Sequence, residues 1–216
     1  MLRVGLIGCG RIADQHAVEI QEIAECKIVG VCDSELLMAK QMAERFGVER
    51  YFNNVFDFLE LAKPDVVHIT TPPQSHFELG KLCREAGAHI FVEKPFTING
   101  KEAKELIDIA VAKDLRVTVG HNAQFNHATR RMRELIRSGF LGGDPVHMES
   151  IWCYPFTDPG YAKAILGDSN HWIRALPGKY LHDILAHGIS RIVEFLKSDS
   201  PEIITRGFVS SFLKNI

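Results

Sequence analysis

The sequence predicts an α/β fold: a Rossmann-type parallel sheet with helices on both faces, followed by an incomplete α+β domain. Three observations carry this. Short apolar runs alternate with helical stretches from Leu2 to Gly120, the rhythm of βαβ units. A Gly8-Cys9-Gly10 turn separates the first run from the first helical stretch. After Gly120 the alternation stops, and the remaining segments fit no parallel sheet. The expected division is a dinucleotide-binding domain over 1–121 and a partial α+β domain, for substrate or oligomerisation, over 122–216.

The elements follow in order. Leu2 to Ile7 is the first strand, and a helix runs from about Arg11 to Ala24. Lys27 to Cys32 is the second strand, and Asp33 or Ser34 can cap the next helix, which continues through Phe46. Asp65 to Thr70 is a strand ahead of Pro72-Pro73. A helix from about Phe77 to Ala86 stops at Gly87, as C-terminal glycines do. Strand His89 to Val92, a helix over Gly100 to Lys113 and strand Arg116 to Gly120 complete the series. Beyond it, a helix near Ala128 to Arg137 precedes a strand-like run, Pro145 to Tyr154. Residues 155–179 are irregular, a helix covers about Tyr180 to Leu196, and Glu202 to Leu213 reads as a strand.

Bulk properties narrow the function. A formal net charge of −2 gives no basic excess for nucleic acid or an anionic membrane surface. No apolar run is long enough to span a bilayer. The five cysteines are scattered, odd in number and without a CxxC pair, which suits reduced thiols in the cytoplasm.

Gly8-Cys9-Gly10-Arg11-Ile12-Ala13 fits G-x-G-x-x-A, set between a strand and a helix as a dinucleotide loop must be. Gly8 permits a tight turn, Gly10 lets the backbone approach a pyrophosphate, and Ala13 lets the helix pack on the sheet. Arg11 and Ile12 begin the helix whose free N–H groups and dipole would receive the phosphates. Asp33, ending the second strand, is placed to accept hydrogen bonds from a ribose and would repel a 2′-phosphate, so NAD is expected over NADP.

With Thr71-Pro72-Pro73-Gln74-Ser75-His76 and Glu93-Lys94-Pro95 added in the same order, the chain resembles the Gfo/Idh/MocA family (glucose–fructose oxidoreductase, inositol dehydrogenase) of NAD(P)-dependent dehydrogenases. The resemblance is strongest over 1–125. It implies that Thr71, Pro72 and His76 lie along the ribose and nicotinamide half of the cofactor, and that Lys94 faces substrate, with Glu93 supporting it. It also implies that the Lys94–Pro95 peptide is cis. Asp183-Ile184-Leu185-Ala186-His187 matches the family's Asp-x-x-x-His helix, approached by Trp172 and Arg174. The chain departs from the pattern at Gly178, Leu185, Ser190 and Ala123-Gln124-Phe125, and in length. The family's second domain is longer, so an uncovered sheet edge is expected here, with a homo-oligomer to cover it.

Asp183 and His187 are four apart and share one helix face. The apolar residues Leu181, Ile184, Leu185, Ile189, Ile192, Val193 and Leu196 would bury that helix and leave the pair at the edge of a cleft. A histidine suits removal of a hydroxyl proton as hydride leaves carbon, and a lysine ammonium suits a developing alkoxide. His187 is therefore the candidate general base, Asp183 its orienter or a substrate hydroxyl acceptor, and Lys94 the electrostatic stabiliser. An exposed ion pair is the alternative for Asp183 and His187. No metal is expected, because His182 faces away from His187. His16 reads as packing or capping, and His171 as structural or solvent-facing.

The expected function is NAD-dependent hydride transfer at a carbon–hydroxyl or carbonyl group of a sugar, cyclitol or nucleotide-sugar. The alternative is a non-catalytic NAD-binding regulator or a truncated fragment without activity. A third, weaker reading uses tightly bound NAD in a redox-neutral elimination or hydrolysis.

Overall fold

The structure is a computed structural model, and it describes residues 1–153, 159–196, 201–204 and 206–207. The chain divides into two compact units, Met1–Gly120 and His121–Ile216.

The first unit is one six-stranded parallel sheet in the order β3-β2-β1-β4-β5-β6. The strands are β1 (Leu2–Ile7), β2 (Cys26–Cys32), β3 (Tyr51–Phe52), β4 (Val66–Ile69), β5 (His89–Val92) and β6 (Val117–Val119). The helices are α1 (Arg11–Gln21), α2 (Leu36–Phe46), α3 (Val55–Ala62), α4 (His76–Glu85) and α5 (Gly100–Ala112). Alternate residues of β1 serve opposite faces. Val4 and Leu6 pack with Ala13, Ala17 and Ile20 of α1 and Ala39 and Met42 of α2. Ile7 packs with Phe58 of α3, Cys83 of α4, and Val67, Ile69, Ile90 and Val92 of the neighbouring strands. The small residues on the inner face of α1 bring it close to the sheet, as Ala13 in the loop motif requires.

Local signals start the helices. The Asn54 side chain accepts from Phe56 N and Asp57 N, which starts α3. Asn99 accepts from Glu102 N at 3.0 Å, while Glu102 Oε2 accepts from Ile98 N at 3.2 Å, so the start of α5 is satisfied reciprocally. Asp33 does not cap α2 itself. Its Oδ1 accepts from Glu35 N at 2.9 Å, and α2 starts one residue later without a side-chain cap.

The strand order reverses between β1 and β4. At such a switch point two loops leave the carboxyl ends of adjacent strands in opposite directions and open a crevice. The segments after Ile7, Cys32 and Ile69 meet there.

The second unit is smaller. It contains α6 (His127–Arg137), α7 (Pro159–Gly167), a 3-10 turn (Trp172–Ala175) and α8 (Lys179–Ile189). Ile165, Ile173 and Leu176 are its buried apolar centre. Arg174 secures the end of α7, donating from Nη2 to Ile165 O at 2.7 Å and from Nε to Asp168 O at 3.1 Å. Two expectations are corrected. Residues 145–153 form no strand. Val146 and Ile151 are exposed, and a β-prone run becomes a strand only where a neighbour pairs with it. The helix expected to reach Leu196 ends at Ile189, and a 3-10 turn over Val193–Phe195 follows. Of the strand expected over Glu202 to Leu213, residues 202–204 and 206–207 carry no strand, and the rest lie outside the described residues, as does Tyr154.

Burial pushes the thiols of Cys9, Cys32 and Cys83 up to about 12, with the Asp33 carboxylate adding to the first two and Cys32 to the third. Cys153 is exposed. A chromogenic disulfide reagent at pH 8 should therefore modify Cys153 first and reach Cys9, Cys32 and Cys83 only after denaturant is added. Rapid native labelling of those three, located by peptide mapping, would contradict this packing.

Candidate functional site

The crevice at the switch point has a volume of about 450 Å³. Five of the residues singled out from the sequence reach it: Gly8, Gly10, Asp33, Thr71 and Pro72. Ser75 of the Thr71–His76 motif and Ser34, the other cap candidate, also line it, and the remaining walls come from residues that carried no motif, among them Met38, Asn53, Val55 and Leu79.

Its floor is the turn after β1. Gly8 has φ +94°, a region that L side chains rarely adopt. A Cβ there would lie 2.8 Å from Thr71 N. Gly8 N donates to Cys32 O at 2.8 Å, and the Thr70 hydroxyl reaches Gly8 O at 2.7 Å and Ile7 O at 3.1 Å. Asp33 Oδ2 accepts from Cys9 N at 2.7 Å. The loop is thus fastened to β2 and β4 before any ligand arrives.

The residues present fit a dinucleotide. A Cβ added at Gly10 would meet no protein atom within 4 Å, and Gly10 lines the crevice. Gly10 is also the N-cap of α1 and offers no side-chain hydrogen bond to it. The first N–H groups of α1 therefore have no side chain of Gly10 competing for them, which is the arrangement that receives phosphate. Asp33 is half-buried. Two backbone donors occupy it, and a carboxylate has about four acceptor sites, so capacity remains for ribose hydroxyls.

His76 behaves differently from the expectation and does not line the crevice. It is fully buried, with Nε2 2.8 Å from Thr71 O and Nδ1 3.0 Å from Pro95 O. Burial holds it below the ordinary histidine range against those two carbonyls. The neutral ring donates to one of them and ties the Thr71–Pro72 segment to the Lys94–Pro95 segment. Ser75 Oγ donates to Thr71 Oγ1 at 2.7 Å and tightens the same turn. Arg11 and Ile12 open α1; neither lines the crevice, and Glu93 and Lys94 stand apart from it after β5. The Lys94–Pro95 peptide is cis.

His16, read from the sequence as packing or capping, makes two side-chain contacts. Its Nε2 lies 3.0 Å from Glu93 Oε1 and its Nδ1 2.8 Å from His68 Nδ1. Burial, with the neighbouring His16, lowers His68 to about 3.

In the second unit, Asp183 and His187 stand one turn apart on α8. Asp183 is buried, whereas Leu181, Leu185 and Ile189 are 58%, 47% and 50% exposed. This reverses the expected orientation. The helix lies against the 3-10 turn Trp172–Ala175 and the turn at Asn122–Phe125. Burial holds His171 below the ordinary histidine range, against the raising influence of Asp168 and, more weakly, of Asp183. The His187 ring stacks on Trp152, with centroids 4.8 Å apart and planes 14° apart. The Arg191 guanidinium lies 4.7 Å from the same indole. Trp152 lies in the run expected as a strand and His171 reads as structural or solvent-facing, so no motif marked either for the site. Among the described residues there is no cluster of three potential metal ligands and no helix long and apolar enough to cross a membrane.

Residues 2–121 match the family described as an oxidoreductase family with an NAD-binding Rossmann fold, GFO_IDH_MocA. D-glucoside 3-dehydrogenase of Escherichia coli is 33% identical over 142 residues, which are 65% of this chain and 40% of that protein. UDP-N-acetylglucosamine 3-dehydrogenase of Acidithiobacillus ferrooxidans is 34% identical over 155 residues, 72% of this chain and 46% of that one. The crystal structure of an NAD-binding oxidoreductase from Klebsiella pneumoniae aligns with a TM-score of 0.77 at 25% identity, covering 90% of this chain and 53% of its own. The chain therefore spans less than half the length of these two curated relatives.

Two consequences of this geometry are measurable. Gly8→Ala should destabilise the first unit by about 1–3 kcal/mol or more, because the left-handed backbone and the Thr71 contact both oppose a Cβ; denaturant titration reads it. His68 is held near 3 when folded and titrates near 6.5 when unfolded. The unfolded chain therefore takes the proton first on acidification. The stability tied to a neutral His68 is full above pH 6.5 and is lost as pH falls toward 3. The slope of unfolding free energy against pH in that window should be flatter in His68→Leu than in the wild type.

Proposed function

The chain belongs to the Gfo/Idh/MocA oxidoreductase family, and from that premise we propose that it holds NAD in an oxidoreductase acting on a carbon–hydroxyl or carbonyl group of a sugar, cyclitol or nucleotide-sugar. One observation carries the reading: the switch-point crevice is floored by a fastened Gly8–Gly10 turn, walled by Thr71 and Pro72, and bears the Asp33 carboxylate at the end of β2. The names of the relatives, two dehydrogenases acting at position 3 of a glucoside and of a nucleotide-sugar, point to a pyranose secondary alcohol as the substrate class.

NAD would supply the hydride acceptor or donor. The residues of the chain do the rest. The start of α1, at Arg11 and Ile12, binds phosphate through backbone N–H groups, and Asp33 binds the adenosine ribose and disfavours a 2′-phosphate. Thr71 and Pro72, fixed by His76, shape the path toward the nicotinamide half. Lys94 stabilises charge on the substrate oxygen, with Glu93 setting its backbone. His187 takes the hydroxyl proton, its ring stacked on Trp152, and Asp183, buried on α8, orients that ring or accepts from a substrate hydroxyl. Charge stabilisation of this kind matters most where it is aimed at the transition state.

A second reading, a non-catalytic NAD-binding protein, is favoured by the exposed apolar side of α8. The described residues of the second unit carry no strand, so the sheet edge expected to drive a homo-oligomer is not among them; a homo-oligomer covering Leu181, Leu185 and Ile189 instead fits either reading. The buried reduced thiols suit the cytoplasm.

Nicotinamide fluorescence during NADH and NADPH titrations tests the cofactor assignment. NADH should bind in about the micromolar range and be preferred, and Asp33→Ala should weaken it by about tenfold, the loss of one or two charge-assisted hydrogen bonds. Equal affinity for the two cofactors would remove Asp33 from its role. Where turnover on a pyranoside is found, Lys94→Ala should lower kcat by about 10²–10³. Undiminished turnover would refute the role given to Lys94.

A further inference from the structure

The crevice opens at the carboxyl ends of β1, β2 and β4, while His68 on β4, Phe91 on β5 and Glu93 just after β5 form a separate cluster. His68 and Phe91 are register partners on adjacent strands. Their rings stack with centroids 4.8 Å apart and planes 8° apart. His16, from α1, stands edge-on to both, with centroids at 5.1 Å and 5.2 Å. His16 and Glu93 side chains are only 11% and 15% exposed. Glu93 Oε1 faces His16 Nε2 at 3.0 Å, and Glu93 Oε2 accepts from Lys94 N at 3.1 Å. On its other side the carboxylate meets Gly120, where a Cβ would lie 2.7 Å from Oε1. Gly120 is itself held by its N–H to Val92 O at 2.8 Å.

The chemistry gives this chain of contacts a direction. A carboxylate only accepts, so His16 Nε2–H donates to Glu93. The neutral His16 ring then has a bare Nδ1, which accepts from His68 Nδ1–H. Burial keeps His68 neutral, and its two tautomers let the contact survive a change at His16. Should His16 take a second proton, its Nδ1 donates instead, and His68 moves its own proton to Nε2. In both arrangements Glu93 keeps its partner.

We propose that His16 and His68 are positioning residues for Lys94: they hold the Glu93 carboxylate, through a hydrogen-bonded chain packed on Phe91 and closed by Gly120, where it fixes the Lys94 main chain at the end of β5. The functional meaning of this rests on the role proposed for Lys94; the network itself does not. His68 starts the chain, His16 relays it from α1 to β5, and Glu93 delivers it to the residue meant to face substrate. The same helix that begins at the cofactor loop thereby reports its placement to the end of β5.

Amide hydrogen exchange of the whole chain, read by NMR, tests the proposal without requiring turnover. His68→Leu removes the donor at Nδ1. It should speed exchange at the Lys94 amide by about five- to tenfold, the loss of roughly one hydrogen bond, while the amides of Leu6 and Ile69 in the sheet remain as in the wild type. His68→Asn retains a side-chain nitrogen the same number of bonds from Cβ as Nδ1, and should keep Lys94 near wild-type protection. A folded His68→Leu protein with unchanged Lys94 exchange overturns the proposal. Should His68→Leu fail to fold, long-range proton–nitrogen spectra of the wild-type imidazoles decide. The proposal requires the proton on His16 Nε2 and, while His16 is neutral, on His68 Nδ1. A neutral His16 with its proton on Nδ1 overturns it. In an active preparation, His68→Leu should lower kcat and leave NADH affinity unchanged. Undiminished turnover in Lys94→Ala would remove the role of Lys94 and leave the exchange and tautomer results standing, so the two failures are distinguishable.

Discussion

The approach of the first turn to the fourth strand governs the molecule. Gly8 brings the chain so near Thr71 that no side chain fits between them. Polar atoms then lock three strand ends together: Gly8 N to Cys32 O, Thr70 Oγ1 to the carbonyls of Ile7 and Gly8, and Cys9 N to Asp33. Each of these groups would be costly to bury unpaired. Pairing them across β2, β1 and β4 leaves one low-energy arrangement of the loop. The aim of α1 follows from it, and with that aim come the N–H groups that can donate to phosphate at the start of the helix and His16 farther along it. Cofactor site and His16 network are two outcomes of one placement.

The same reasoning shows what could be read from the residues. Strand–helix alternation, the glycine turn and Asp33 were legible because each is a local pattern with a local cause. Helix α3 and strand β3 were not. Tyr51–Phe52 is too short to show any period, and VFDFLELA is apolar nearly all round, so eight residues cannot separate a buried helix from a strand. The role of His76 was hidden for a different reason. Its position in the motif suggested the cofactor, but its ring serves two backbone carbonyls 5 and 19 residues away in sequence. His68 carried no signal of its own within the strand run Asp65 to Thr70. Only the register of β4 against β5 and the path of α1 show that its partner is His16.

Helix α8 shows the limit of periodicity. The apolar stripe says that one side of the helix is hydrophobic, and the natural inference is that this side faces in. The structure instead buries Asp183 and leaves Leu181, Leu185 and Ile189 exposed. The spacing of apolar residues describes a helix alone, and burial depends on which neighbours exist. The neighbours that the second unit offers to α8 are the 3-10 turn of Trp172–Ala175 and the turn at Asn122–Phe125. A carboxylate drawn inward is a poor way to stabilise a small unit, because desolvation opposes it unless polar partners answer. Its burial is easier to understand as the setting of a polar site than as packing. The Asp183 charge is felt at His171, and His187 is stacked on Trp152. The pair that spacing alone joined therefore has different surroundings, a buried carboxylate on one side and an aromatic stack on the other. Substitution of Trp152 would act on the imidazole without touching Asp183, which is how the two contributions to the proposed chemistry separate.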